Sequence, residues 1–332
     1  MQRSRRFRSK PALLALLLTL LAPACGVPTD TPSTPVQLPG FETPASRDSS
    51  TPSTEGAPGL QGKVEQADPV LLAVGDIASC KSEGDEATAA LLDGQPGVIA
   101  ALGDTVYESG KPEEYAQCFA PAWGRHKERI RPAVGNHEYK TPGASGHFTY
   151  FGELAGEPGK GYYSYDLGRW HIVVFNSNCK QVGGCHSDSP QAEWLRSDLA
   201  AHPTQCALAY WHHPRFSSGR HGDFRSMQAI WEILYEYGVD VVLAGHDHNY
   251  ERFAPLNDQG QVDPERGIRS FVVGTGGRSL RPFAEIHPAS EVRDHQTYGV
   301  LKLTLRPDSY EWQFIPAAGG TFTDAGQGTC HS

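Results

Sequence analysis

A layered α/β fold is what this 332-residue sequence predicts, and two observations predict it. From about Pro69, short apolar runs alternate with amphipathic segments, the pattern of strands buried on both faces and of helices that cover them. Five of those runs also stop abruptly in polar clusters: VLLAVGD at Asp76, VIAALGD at Asp104, RPAVGNH at His137, ALAYWHH at His213 and VVLAGHDH at His248. In open α/β sheets ligands collect outside the carboxyl ends of strands, so five such ends can converge on one place.

The runs place strands at 70–74, 98–102, 131–134, 207–211 and 239–244. Helices are expected between them at 83–92, at 189–202 with Ser189 as N-cap and Pro190 in the first turn, and at 224–238 closed by Gly238. Two further strand pairs follow from the apolar pattern at 162–176 and 267–314. No internal repeat is visible, and nothing divides the folded part, which is expected to run over 67–316 with a C-terminal tail at 317–332.

The chain begins with Arg3, Arg5, Arg6, Arg8 and Lys10, followed by the apolar run ALLALLLTLLA at 12–22 and then Pro23-Ala24-Cys25. This reads as an export signal over 1–25. Crossing a membrane takes about 20 apolar residues, which argues against a spanning helix here. Cleavage after Ala24 satisfies the small-x-small rule of ordinary signal peptidase, and a cysteine at the new N-terminus resembles the lipidation signal of bacterial lipoproteins, so both a lipid anchor at Cys25 and a freely exported form are expectations. Residues 26–66 hold seven Pro, six Thr and five Ser, the composition of a flexible tether.

Net charge is −9, which argues against nucleic acid or anionic membrane as a partner of the average surface. An anionic substrate would need a local positive centre. Seven cysteines in an exported chain leave one over if the rest pair; lipidation of Cys25 would account for it. Cys179 and Cys185, which bracket a short glycine-containing loop, are the first pair expected.

The strand ends gather Asp76, Asp104, Tyr107, Asn136, His137, His212, His213, His246 and His248. Carboxylate, phenol, amide oxygen and imidazole suit Fe, Zn or Mn, and they outnumber the needs of one ion. Two ions sharing a carboxylate would use the surplus. His246 and His248 lie two apart and share a face on extended backbone; Asp104 and Tyr107 lie three apart, one turn if a helix begins there. Singly, each residue reads better as a strand-end turn or cap; five clusters together favour the metal reading.

In order, GDIA (75–78), GDTVY (103–107), GNHE (135–138), AYWH (209–212) and GHDH (245–248) resemble the five sequence blocks of the calcineurin-like metallophosphoesterases, and the tyrosine of the second block resembles their purple acid phosphatase branch. The resemblance covers about 70–316. It departs at Ala78, where that branch has a second glycine, and at Ala209, where valine is usual. It implies a four-layer αββα sandwich of two mixed β-sheets flanked by helices, with a binuclear centre at one edge. Fe(III) would be held by Asp76, Asp104, Tyr107 and His248, and Fe(II), Zn or Mn by Asp104, Asn136, His212 and His246. The charges of the ions, the anionic ligands and a bridging hydroxide leave the centre at about +1, enough to attract a phosphate ester.

With the export signal, the resemblance implies an exported phosphatase of small phosphate monoesters in which His137 and then His221 are the candidates to meet substrate and protonate the leaving group, and His213, beside His212, is a third. A phosphodiesterase or nucleotidase with the same metals, and a surface-anchored phosphate-binding protein without turnover, are the competing readings. Arg125, Arg215, Arg220 and Arg252 could bind phosphate or form ordinary salt bridges, and GTGG at 274–277 reads as a tight turn.

Overall fold

The computed structural model describes residues 67–203 and 206–331; the segments read as export signal, lipidated Cys25 and tether lie outside the described residues. Among the described residues there are fifteen strands: β1 Val70–Val74, β2 Ala78–Ser79, β3 Val98–Ala101, β4 Val106–Tyr107, β5 Ile130–Pro132, β6 Tyr163–Leu167, β7 Trp170–Val174, β8 Cys206–Tyr210, β9 Val241–Ala244, β10 Tyr250–Phe253, β11 Arg269–Val273, β12 Ser290–Asp294, β13 Gly299–Leu305, β14 Ser309–Pro316 and β15 Ala325–Thr329.

Thirteen of them form two mixed sheets, and β2 and β4 pair as a separate short ribbon. One has the order β15-β14-β13-β1-β3-β5, the other β12-β10-β11-β9-β8-β7-β6. Strands β1, β3 and β5 run parallel in the first, as do β7, β8, β9 and β11 in the second. Their alternate side chains build three cores. Leu71, Ala73, Ala100 and Leu102 meet Ile172, Leu208, Leu243 and Phe271 between the sheets. Leu72, Val74, Ile99 and Ala101 point the other way, into a cluster with Ala89, Trp123 and Phe151. Val173, Ala209 and Val242 pack beneath Leu195 and Trp231 on the outer face of the second sheet. A two-residue side-chain period with both faces buried therefore yields helix, sheet, sheet and helix in four layers.

The expected helices form at Gly84–Asp93, Pro190–Ala201 and Gln228–Glu236. The third starts later than the apolar pattern suggests because Arg225–Met227 forms a tighter 3₁₀ turn first, and Gly238 follows it with φ +69°. Ser189 has the extended backbone of an N-cap, but its hydroxyl makes no capping bond. Asp104 does not open a helix: it leads into β4, which pairs in parallel with β2. The residues read as a tail supply β15, which pairs along β14 from Ser309↔Thr329 to Gln313↔Ala325, and Cys330 is disulfide-bonded to Cys206. Cys179 pairs with Cys185 as expected, and Cys80 with Cys118.

Candidate metal centre

The parallel strands β1 and β3 both end by folding sharply at an aspartate. Asp76 has φ +58° and Asp104 φ +48°, conformations that L-residues adopt at a cost of about 1–2 kcal/mol each. The kinks match, so the ladder resumes beyond them: Ile77 N donates to Asp104 O at 3.0 Å and Ala78 N to Thr105 O at 3.0 Å. This pairing puts the two carboxylates side by side at the edge of the first sheet. His246, just after β9 in the second sheet, is a third left-handed residue, with φ +71°, and its N–H donates to Asp76 Oδ2 at 2.7 Å.

All seven expected metal ligands meet here. Tyr107 donates its hydroxyl to Asp76 Oδ1 at 2.6 Å and lies 3.3 Å from His248 Nε2, which is itself 3.4 Å from Asp76 Oδ1. His212 Nε2 is 3.3 Å from Asp104 Oδ2, 3.1 Å from Asn136 Oδ1 and 3.2 Å from His246 Nδ1. Two groups thus form, Asp76–Tyr107–His248 and Asn136–His212–His246, with Asp104 against the second and its carboxylate within reach of Asp76.

The chemistry of these donors fits metal ions. His212 Nδ1 lies 2.9 Å from the Leu102 carbonyl and His248 Nδ1 2.7 Å from the Ser279 carbonyl. Each Nδ1 must carry the proton, which leaves a lone pair on each Nε2 aimed into the site. Lone pairs of His212 Nε2, Asp104 Oδ2 and Asn136 Oδ1 then face one another beside the His246 ring. Such a set needs a positive centre. A proton on His212 is one answer: burial opposes it, yet the carboxylate of Asp104 outweighs burial and holds the ring up at about 9. Cations bound by oxygen and imidazole are the other, and Fe, Zn and Mn take this donor set. Burial first, then Asp104 and Asp76, pushes the Tyr107 phenol well above its usual range, so ionising it as a ligand calls for a strongly charged cation. Burial, followed by His212 and His213, pushes His246 down and keeps it neutral, the form that coordinates.

The three other histidines stand around this rim. His137 Nδ1 is bonded to the Glu108 carbonyl at 2.7 Å, and its Nε2 is 3.9 Å from Asp104 Oδ2. His221 Nδ1 is 2.8 Å from Asp247 Oδ1, and its ring lies 4.2 Å from that of His246, centroid to centroid. His213 is buried; it is tied to Ser177 Oγ at 2.8 Å and stacks on Phe224 at 4.6 Å. Burial, then His212, pushes His213 down to about 3.

Several residues that the sequence did not single out support the centre. Glu138 is wholly buried and accepts from Asp104 N at 3.1 Å, Thr105 N at 2.7 Å and Gly135 N at 2.8 Å, clamping the left-handed turn at Asp104. Burial, then Asp104, pushes its carboxyl up to about 7. Its signal was the E of GNHE. Asp247 binds the 217–221 loop, accepting from Ser217 Oγ at 2.6 Å and His221 N at 3.0 Å. Arg278 lays its guanidinium 5.0 Å over the Tyr107 ring and pairs with Glu108 at 2.8 Å. The GTGG turn lies directly behind, with Gly276 N on Gly75 O at 2.9 Å; a side chain at Gly274 would strike Asp76 Oδ2.

A two-sheet sandwich whose facing strand ends hold a rim of oxygen and imidazole donors defines a phosphoesterase-type metallohydrolase fold. Residues 69–250 match the family model for calcineurin-like phosphoesterases. The chain belongs to the calcineurin-like phosphoesterase family. It is 28% identical over 244 residues to purple acid phosphatase 15 of Arabidopsis thaliana, covering 62% of this chain and 44% of that protein. It is 26% identical over 263 residues to a nucleotide pyrophosphatase/phosphodiesterase of Hordeum vulgare, covering 69% of this chain and 70% of that one. Among solved structures it resembles purple acid phosphatase PPD1 from yellow lupin (Lupinus luteus) seeds, with a TM-score of 0.70 and 21% identity, over 80% of this chain and 55% of that one. The chain spans about half the length of the Arabidopsis relative and the lupin protein.

Proposed function

We propose that this protein is an exported, metal-dependent phosphatase of small phosphate monoesters. The observation that carries the reading is the cluster of oxygen and imidazole groups around His212 Nε2 beside the Asp76–Tyr107–His248 group. Asp76, Asp104, Tyr107 and His248 would hold one ion, Fe(III), and Asp104, Asn136, His212 and His246 a second, Fe(II), Zn or Mn. When bound, such ions acidify water for attack and neutralise charge on the phosphoryl oxygens.

The protein's own residues do the rest. Tethered by Glu108, His137 stands at the rim with Nε2 beside Lys140 Nζ at 3.2 Å, where its imidazolium form can hydrogen-bond the ester and hand a proton to the departing alkoxide. His221 is held by Asp247 with its other nitrogen free for substrate. His213, enclosed by Ser177 and Phe224, braces His246 more than it meets substrate. Three disulfides support an oxidising compartment, in keeping with export.

The Hordeum relative's name favours one second reading, cleavage of a diester or pyrophosphate by the same centre. Comparing 4-nitrophenyl phosphate with its bis-ester on metal-loaded protein separates the two: faster diester turnover would overturn the monoesterase reading. Elemental analysis with an absorption spectrum tests the metals. The expected result is two equivalents and a visible phenolate-to-iron band that Tyr107→Phe removes; a colourless, fully active protein holding only Zn or Mn would overturn the Fe(III) assignment.

A further inference from the structure

Three of the four arginines that could have met phosphate are committed elsewhere. Arg125 pairs with Asp93 at 2.6 Å. Arg215 donates to Gln228 Oε1 at 2.8 Å and covers Phe216. Arg252 pairs with Asp324 at 2.7 Å. Arg220 differs: among the described residues its guanidinium has no hydrogen bond or ion pair, and the same holds for Arg225. Both line one depression of about 470 Å³, together with His221, Asp223, Glu285 and His287. His221 joins this depression to the metal rim through its ring contact with His246 at 4.2 Å.

The depression is built. One wall is the loop 217–225, welded to the end of β9 by Asp247, which accepts from Ser217 Oγ at 2.6 Å and from His221 N at 3.0 Å. Asp223 closes the same loop by accepting from Ser217 N at 3.1 Å, and Arg215 offsets its charge at 3.7 Å. The opposite wall, 284–288, is joined to the first by Ser218, whose carbonyl accepts from Ala284 N at 2.9 Å and whose hydroxyl accepts from His287 N at 2.8 Å. Two unpaired guanidinium groups therefore stand on a braced surface with two carboxylates, Glu285 and Asp223, of which Asp223 is already answered by Arg215, in a chain whose net charge is −9.

We propose that this depression is a subsite for a second phosphate of the substrate, so that the protein acts on small molecules carrying two phosphoryl groups, one cleaved at the metal rim and the other held by Arg220 and Arg225. The inference rests on the phosphatase reading of the neighbouring centre. Two guanidinium forks match the charge and acceptor geometry of a phosphate dianion, whereas a carboxylate would leave one cation unanswered. The net-acidic chain disfavours a second anion anywhere that lacks such a local excess of positive charge.

The test uses metal-loaded protein and non-hydrolysable phosphonates in titration calorimetry: butylphosphonate against the α,ω-bisphosphonates of propane, butane and hexane. At least one bisphosphonate should bind the wild type tenfold or more tighter than butylphosphonate. Arg220→Ala/Arg225→Ala should erase that advantage while leaving butylphosphonate affinity and 4-nitrophenyl phosphate turnover within twofold, and Glu285→Gln should strengthen bisphosphonate binding severalfold. Equal affinity for all four ligands in the wild type, or an advantage that survives the double substitution, would overturn the subsite. If 4-nitrophenyl phosphate is not hydrolysed, the phosphatase reading fails, and the calorimetric difference between wild type and double variant still decides the subsite by itself.

Discussion

The backbone N–H of His246 donates to Asp76 Oδ2 at 2.7 Å, joining residues 170 apart in sequence and the ends of two different sheets. Both residues are left-handed, with φ +71° and +58°. The bond stitches the sheets together where the candidate ligands from each meet, and it occupies one oxygen of Asp76 so that the other faces Tyr107 and His248. Backbone strain at these positions is sustained by the surrounding hydrogen bonds, which makes the centre sensitive to changes that touch no ligand.

Gly135 gives the sharpest case. A Cβ there would overlap both the Asp104 carboxylate and its backbone nitrogen. Gly135→Ala should fold with a displaced Asp104 and hold less than half the metal of the wild type by elemental analysis.

Removing the clamp should act differently. Glu138→Ala orphans the buried N–H groups of Asp104, Thr105 and Gly135, at a cost of about 3 kcal/mol or more in urea unfolding. Glu138→Gln keeps an oxygen acceptor and should lose less. Equal stabilities for the two variants would show that the clamp is not what holds this turn.

Proton donation should separate the rim histidines. His137→Ala is expected to lower kcat on an alkyl phosphate about 100-fold and less on 4-nitrophenyl phosphate, whose leaving group needs little help, with metal content unchanged. His213→Ala should show no such dependence on leaving group. Steady-state kinetics on the two esters checks both.

The Cys206–Cys330 disulfide closes a span of 124 residues and ties the segment after β15 to the start of β8. Cys206→Ser/Cys330→Ser should lower unfolding stability by about 2–5 kcal/mol. Metal content should not change, because the link joins the start of β8 whereas His212, proposed as a ligand, follows its end.

Asp85 supplies a pH test away from the centre. It is 1% exposed with Oδ1 unpartnered, and burial, then Glu86, pushes its carboxyl from 3.8 up to about 7. A raised acid is fully accommodated below pH 3.8, and stability is lost as pH rises from there to 7, where the folded state gives up the proton. Asp85→Asn should therefore stabilise the protein more at pH 8 than at pH 5. The difference should be about 1–2 kcal/mol, because the helix N-terminus and backbone N–H groups offset part of the burial cost. A pH-independent difference in urea midpoints would contradict this.

Much of the centre was legible in the chain. Asp76, Asp104, Asn136, His212 and His246 each stand at the end of an apolar run, and a strand buried on both faces can place polar groups only where it emerges. Tyr107 was found by its distance from Asp104, although a short strand and not a helical turn carries it. Glu138, Asp247 and Arg278 were not singled out, because an isolated charged residue in a loop looks the same in sequence whether it clamps a turn, pins a loop or sits in water.

The sequence by itself determined the alternation of strands and helices, the five exits from the core and the donor types gathered there, since local hydrophobic period and residue chemistry are properties of neighbours in the chain. Tertiary structure alone decided which sheet each exit belongs to, how six cysteines pair, that β15 completes a sheet, and which of four arginines is left uncommitted. Those outcomes depend on which partner lies within a few ångströms across distances of up to 170 residues, and no local pattern records that partner.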